Sequence, residues 1–417
     1  MKYIIPKKGG PGQIYRNSGI LELKLENWVI IGKNERMRMI VTGTVGLDKG
    51  EYLDKVRARA AEDGEQVGVW HIGKRMYAEA PDVVPGRILD LPLARLHQLR
   101  RSVVKDILAA SAQDGHLIVN THATFRWKHG LFPGFDFDQF ARLDTDIYVC
   151  MMDTVDMVHA RLLRDHQVDH SLKDLLVWRE EETLATELLM MGCSLGQSRR
   201  DLAGQRHLFG AGDSDKPKFY TMAIGRDYST VEMFYRLVFR PSIPKVYISF
   251  PMTHVADNSE IQAEIDEFRQ AIRRHFTVFD PLDMEEYQLY REARAASEEG
   301  QKVIELELLG ESMRFDVAEI MQVAGDIHAQ LYARDFMLID QADMIISYIP
   351  EMSDGKPGLS SGVERELQHA HEATKEVYVI WCSQATPSPF ITETATKVFR
   401  DTEAALEYFS EAGYVSG

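Results

Sequence analysis

Arg38-Met39-Ile40-Val41-Thr42-Gly43-Thr44-Val45-Gly46-Leu47-Asp48-Lys49-Gly50 decides the architecture of this chain. A short apolar run, 38–42, breaks into a glycine-containing turn, and residues from about 51 to 61 take up helical spacing. Strand, turn and helix in succession form the unit of a parallel sheet, because a helix must carry the chain back across the sheet face. The unit recurs downstream. Residues 67–71, 116–121, 145–152 and 218–224 read as strands, and 93–111, 157–165, 172–191 and 229–238 as helices. An α/β fold with a parallel sheet covered on both faces follows.

The pattern stops at Arg240-Pro241-Ser242-Ile243-Pro244, where two prolines break any helix and favour an extended linker. It then restarts. Strands are expected at 245–250, 277–279, 344–349 and 377–381, and helices at 260–275 and 331–341. The charged stretch 285–326 reads as mostly helical. Three segments are predicted: an N-terminal extension, 1–36, with β-like runs at 20–25 and 28–31; a first domain, 37–240; and a second, 245–417. The expected fold class is α/β with two three-layer parallel-sheet domains.

Composition narrows the function. With 417 residues, 45% of them hydrophobic, the chain is long enough for two cores. A formal net charge of -16 argues against a general nucleic-acid or membrane-surface binder, since both need basic patches. Cys150, Cys193 and Cys382 are odd in number and far apart, which implies a reducing compartment and no disulfide framework. The N-terminus lacks the apolar run of a signal peptide, and no stretch is long enough to span a bilayer. A cytoplasmic protein is expected. No His/Cys cluster suggests a metal.

Two regions carry chemistry. In the first, Gly43 and Gly46 let backbone N–H groups face a phosphate, and Lys49 adds a point charge. Asp48 stands where a glycine usually precedes that lysine, and Gly50 removes the hydroxyl that normally binds Mg²⁺. A plain strand–turn–helix remains the alternative. In the second region, Leu359-Ser360-Ser361-Gly362-Val363-Glu364-Arg365-Glu366-Leu367-Gln368-His369-Ala370 reads as a helix start, with Ser361 and Glu364 as a capping box. Val363, Leu367, Ala370 and Thr374 form one stripe, with Glu366 at its edge. A carboxylate there complements the helix dipole, or it is paired, protonated or functional. The helix N-terminus offers free N–H groups to a phosphate.

Longer stretches resemble known families. His116-Leu117-Ile118-Val119-Asn120-Thr121-His122-Ala123, Gly130-Leu131-Phe132-Pro133-Gly134 and residues 144–149 resemble the archaeal-type adenylate kinase branch of P-loop nucleotide kinases, with Asn120 in place of the family's aspartate. The resemblance implies a nucleotide pocket, for ATP or another nucleotide, with Lys49 near phosphate and Arg161 or Arg164 as lid arginines. Val246-Tyr247-Ile248-Ser249-Phe250-Pro251-Met252-Thr253, then Tyr332-Ala333-Arg334-Asp335-Phe336, then the Ser360 helix start together resemble the nucleoside 2-deoxyribosyltransferase family, including its branch of 5′-nucleotide N-hydrolases. That resemblance implies Glu366 as nucleophile at the anomeric carbon, Asp335 as general acid or sugar clamp, and Tyr247 as orienter of Glu366. Ser249, Pro251, Asp280, Ser360 and Gly362 are implied as substrate-binding residues, and Ser383 or Ser388 as a further phosphate contact. Serine at 360, where transferases on free nucleosides carry an aspartate, points to a 5′-phosphate.

On residues alone, Asp335 could equally pair with Arg334, Tyr247 could be a core tyrosine, and Ser360 a turn residue. The chemistry nevertheless agrees with the resemblance. Breaking a C–N glycosidic bond develops oxocarbenium character, which a close carboxylate stabilises or captures, and the base is a poor leaving group until protonated. The expected activity is hydrolysis of the N-glycosidic bond of a (deoxy)nucleoside 5′-monophosphate, with no cofactor required. Base exchange, a non-catalytic nucleotide sensor and a nucleotide kinase are the alternatives. The expected partners are a small nucleotide substrate and further copies of the chain, with no nucleic acid and no membrane.

Overall fold

Apolar strands and amphipathic helices resolve into two five-stranded parallel sheets, each flanked by helices. The computed structural model describes residues 3–6, 28–31, 36–111, 115–203, 217–252, 255 and 258–415. β1 (Tyr3–Pro6) and β2 (Trp28–Ile31) pair antiparallel. The β-like run expected at 20–25 lies outside the described residues.

The first half continues with β3 (Arg38–Thr42), α1 (Lys49–Glu62), β4 (Val67–His71), α2 (Ile72–Glu79) and α3 (Leu93–Ala110). Next come β5 (His116–Asn120), the hairpin β6 (Thr124–Trp127) and β7 (Gly130–Pro133), α4 (Phe137–Phe140), β8 (Ile147–Met152) and α5 (Val155–His166). α6 (Leu172–Ala203), β9 (Lys218–Ala223) and α7 (Val231–Phe239) complete it. The sheet order is β4-β5-β3-β8-β9, all parallel. β8 is buried along its whole length, as a central strand covered on both faces must be.

The second half comprises β10 (Lys245–Ser249), α8 (Ser259–His275), β11 (Thr277–Phe279), α9 (Glu286–Glu298), β12 (Val303–Leu308), β13 (Glu311–Asp316) and α10 (Val317–Gln341). It ends with β14 (Met344–Ile349), α11 (Ser361–Glu372), β15 (Glu376–Trp381), α12 (Pro389–Thr392), β16 (Lys397–Phe399) and α13 (Thr402–Glu411). Its order, β11-β10-β14-β15-β16, reverses direction between β10 and β14. Open parallel sheets place their ligands outside the carboxyl ends of the strands at such a reversal.

The expectation of a mostly helical 285–326 fails. α9 ends at Glu298, and the antiparallel hairpin β12–β13 interrupts the stretch before α10 begins. Leu309 and Gly310 both take positive φ, 57° and 79°, the two-residue turn whose twist matches a hairpin. Val303-Ile304-Glu305-Leu306-Glu307-Leu308 alternates with period two, with both glutamates exposed. Among the described residues no helix is long and apolar enough to cross a membrane.

The two halves meet through a buried polar seam. Fully buried Glu286 accepts from the Val155 amide at 2.8 Å and from both Arg179 terminal nitrogens at 2.9 Å. Arg179 also donates to Gln330, and Gln341 exchanges bonds with the Thr221 backbone at 2.9 Å. A buried carboxylate stripped of its cation costs far more than the pair gains. Arg179→Ala is therefore expected to lower unfolding stability by about 3 kcal/mol. Urea titration checks this: an unchanged midpoint would mean water solvates Glu286.

Candidate functional site

Residues at the β10/β14 reversal converge on Glu366. Ser360 holds extended backbone angles, and its hydroxyl accepts from the Val363 amide at 3.3 Å, making it the N-cap of α11. The capping box predicted at Ser361 and Glu364 thus sits one residue late, because Ser361 is already helical. Val363, Glu366, Leu367 and Ala370 form the buried face, while Thr374 falls beyond the helix at φ 58°. Glu366 is 9% exposed. Its carboxylate accepts from the Tyr247 hydroxyl at 3.0 Å and from the Ser249 hydroxyl at 2.5 Å, both on β10. Strand alternation explains why Tyr247 and Ser249, two apart, reach the same carboxylate.

Asp335 approaches from α10. Arg334 donates to it at 2.8 Å and also to the Met284 carbonyl at 2.9 Å and the Pro281 carbonyl at 3.1 Å. This fixes Asp335 to the loop after β11. Among the described residues Arg334 is the hydrogen-bond donor to Asp335, and it uses only the Oδ1 oxygen. Burial pushes Glu366 up to about 8, and the nearby Asp335 charge adds to the rise, while the Ser249 and Tyr247 hydrogen bonds oppose it. Burial also raises Asp335, against the pull of Arg334. The Asp335 charge thus couples the titration of Glu366 to its own.

This coupling has a sign that stability can report. Glu366 ordinarily ionises near 4.5, so between that pH and about 8 the folded protein holds a proton the unfolded chain has released. Its contribution to stability is therefore lost as pH rises through that window and stays flat above it. Glu366→Gln removes the titration. The variant is expected to melt several degrees above the unsubstituted protein at pH 9, at about 2–4 °C per kcal/mol, with the gap closing towards pH 5. A pH-independent gap would show that Glu366 titrates normally.

The other expected substrate residues scatter in role. Pro251 is buried just past β10. Gly362 is exposed in the first turn of α11, beside the Ser360 hydroxyl. Asp280 is fully buried and saturated: it caps Leu282 at 2.9 Å and takes Arg269 and Arg273 at 2.7 Å each. Burial opposes its ionisation, yet the two guanidiniums hold it below the ordinary range. Ser383 is also fully buried; its hydroxyl donates to the Gly355 carbonyl at 3.0 Å and accepts from Ala385 at 3.1 Å. Both brace loops around the site. Ser388 precedes α12 as its N-cap without a side-chain cap bond.

Sequence reasoning missed Ser347. It is fully buried on β14, directly opposite Ser249 in register, and its hydroxyl has no hydrogen-bond partner among the described residues. A serine inside the otherwise unbroken run Met344-Ile345-Ile346-Ser347-Tyr348-Ile349 was the available signal.

The loop after β3 forms a second constellation. Gly43 takes φ 134°, and a Cβ there would lie 2.5 Å from the Met151 carbonyl oxygen, so only glycine fits. The Gly43 amide donates to Glu182 of α6 at 2.9 Å, and Glu182 also accepts from the Ala123 and Thr124 amides at 2.7 and 2.6 Å. Lys49 is buried and donates to the Gly43 carbonyl; burial lowers it to about 8. His122 Nδ1 lies 2.6 Å from that carbonyl and 3.2 Å from Lys49 Nζ, and burial holds the ring neutral. Arg161 bridges Asp48 at 3.2 Å and Asp153 at 2.7 Å, and its Nη1 reaches the Gly46 carbonyl at 3.3 Å. Arg164 reaches Asp48 at 3.3 Å. Gly43, Gly46, Lys49 and Arg161 are thus gathered in one place, with carboxylates on Arg161 and a backbone carbonyl on Lys49. Glu182 carries no sequence signal, since its partners lie 58 residues and more away.

A model of the AAA domain family matches residues 42–178. Among solved structures, a 2-deoxyribosyltransferase from the psychrotolerant bacterium Bacillus psychrosaccharolyticus is 19% identical over 41% of this chain and 96% of its own, with a TM-score of 0.26. A phosphoglycerate kinase from Coxiella burnetii is 13% identical over 89% of this chain and 92% of its own, with a TM-score of 0.17. The family match and the loop geometry make the first half a P-loop, kinase-like nucleotide-binding domain.

Proposed function

We propose that the second half cleaves the N-glycosidic bond of a (deoxy)nucleoside 5′-monophosphate, yielding the free base and (deoxy)ribose 5-phosphate. One observation carries this reading: a buried glutamate on a helix start is gripped by two strand hydroxyls, with the Asp335 carboxyl near enough for its charge to raise the glutamate's pKa. In the productive state Asp335 holds the proton and Glu366 is ionised. The base nitrogen takes the Asp335 proton as the C1′–N bond breaks, and Glu366 bonds C1′. Water, deprotonated by Asp335, then releases the sugar and restores both groups. Tyr247 and Ser249 hold the glutamyl oxygens in line. Ser360 and the free amides of the first turn of α11 receive the 5′-phosphate. Because Glu366 is buried from water, a second base could also intercept the glycosyl intermediate. Product analysis with and without added free base separates hydrolysis from exchange.

The first half, in the same reading, binds a nucleotide without passing on its phosphate. Asp48 occupies both arginines, Glu182 holds the Gly43 amide, and Gly50 brings no hydroxyl for a metal. The test of the glycosidase reading is release of free base from a panel of ribo- and deoxyribonucleoside monophosphates by the full chain. No release from any of them would end it.

A further inference from the structure

Large apolar side chains left in water usually stand alone, but on α6 they align. Leu184, Leu188, Met191 and Leu195 are 59%, 50%, 51% and 67% exposed, and they are spaced four, three and four residues apart. That spacing keeps them within one narrow stripe of the helix, the a/d seam of a coiled coil. The stripe is widened by Phe137, 46% exposed, whose ring lies against Gly192, where a Cβ would sit only 2.5 Å from it. The opposite face of α6 is already engaged: Glu182 and Thr186 are buried against the loop after β3, and Arg179 binds Glu286.

We propose that this stripe is a homodimer interface, in which α6 of one copy packs along α6 of a second copy about a two-fold axis. The occupant is argued from shape and area. A four-three-four seam is complemented by another helix with the same spacing, and the sequence reads the same forwards and backwards in its spacing. An antiparallel mate therefore sets Leu184 beside Leu195 and Leu188 beside Met191, whereas a parallel one sets each residue beside itself. Either way the patch is self-complementary, as a two-fold interface requires. At roughly 100 Å² for each half-exposed side chain of this size, the five side chains offer about 500 Å² per copy. A symmetric pair would bury about 1,000 Å² from these alone, the threshold for a specific interface. A membrane surface fits worse, because the exposed residues flanking the seam, Glu180 and Glu187, are acidic.

Sedimentation velocity on the full chain tests the proposal. At micromolar concentration the species should have twice the 47.5 kDa chain mass, or an even multiple of it. Leu188→Glu and Leu195→Glu, each alone, should halve the observed mass or weaken the dissociation constant at least 100-fold. Their circular dichroism and melting temperature should stay those of the parent, and Leu188→Ile should retain the parent mass. Phe390→Glu, at an 85% exposed site in the second half, should leave the assembly unchanged. A 47.5 kDa species at 50 μM, about the strongest condition for a micromolar pair, would overturn the proposal. So would an oligomer indifferent to both glutamate substitutions in their folded form.

Discussion

Glu366→Ala is expected to reduce base release by about 10⁴-fold, near 5.5 kcal/mol of transition-state stabilisation. The oxygen that bonds C1′ is lost, and nothing else in the pocket can replace it. Ser249 and Tyr247 would face a void, and burial holds the Tyr247 hydroxyl well above its usual range, so it stays neutral and brings no negative charge to the oxocarbenium ion. Glu366→Gln should lose nearly as much while keeping the shape of the site, because an amide oxygen is a poor nucleophile. The pair of variants excludes mere collapse of α11. Single-turnover release of base, followed by chromatography, is the measurement. Activity within tenfold of the parent in either variant would remove Glu366 from the chemistry. If Gln keeps substrate affinity while the rate falls, Glu366 acts in the transition state rather than in binding.

The positions of both sheets were legible because parallel strands buried on both faces read as unbroken apolar runs. β3, β4 and β11 appear with the bounds their residues predict, and the linker prolines separate the two patterns. The hairpin β12–β13 was not read, because glutamates at every second position also suit a solvated helix. Only the period and the Leu309-Gly310 turn distinguish the two. α6 runs past the expected end at 191, since Gly192 and Gly196 look like terminators but Gly192 instead makes room for Phe137. At the site, Glu366 was legible as a carboxylate at the edge of a helix's apolar stripe, whereas Tyr247 came from the family resemblance and Ser249 was expected to hold substrate rather than Glu366. The long-range partners were not. Arg334 reaches carbonyls 50 residues away or more, and Glu182 reaches three amides on two loops. No local pattern encodes which backbone groups a buried charge will find.

Asp335→Asn should cut base release by about 10³-fold, near 4 kcal/mol, and should also move the pH profile. The rate falls because the leaving base loses its proton donor. Arg334 would keep its bonds to the Met284 and Pro281 carbonyls, so the loop after β11 should stay in place. The second effect is electrostatic. In the parent, kcat/KM should fall as pH rises through about 8, where the two carboxyls lose their last proton and Asp335 has none left to give. Asparagine removes that acid and the negative neighbour, so the falling limb must vanish and the residual rate should rise as Glu366 ionises below pH 8. A falling limb that stays put would mean that Asp335 does not deliver that proton. Substrates whose base leaves without protonation discriminate further. The asparagine variant should turn them over at nearly the parent rate, since Glu366 and its two hydroxyl donors remain. An equal loss on both kinds of substrate would make Asp335 a sugar clamp, with the leaving-group proton supplied from elsewhere.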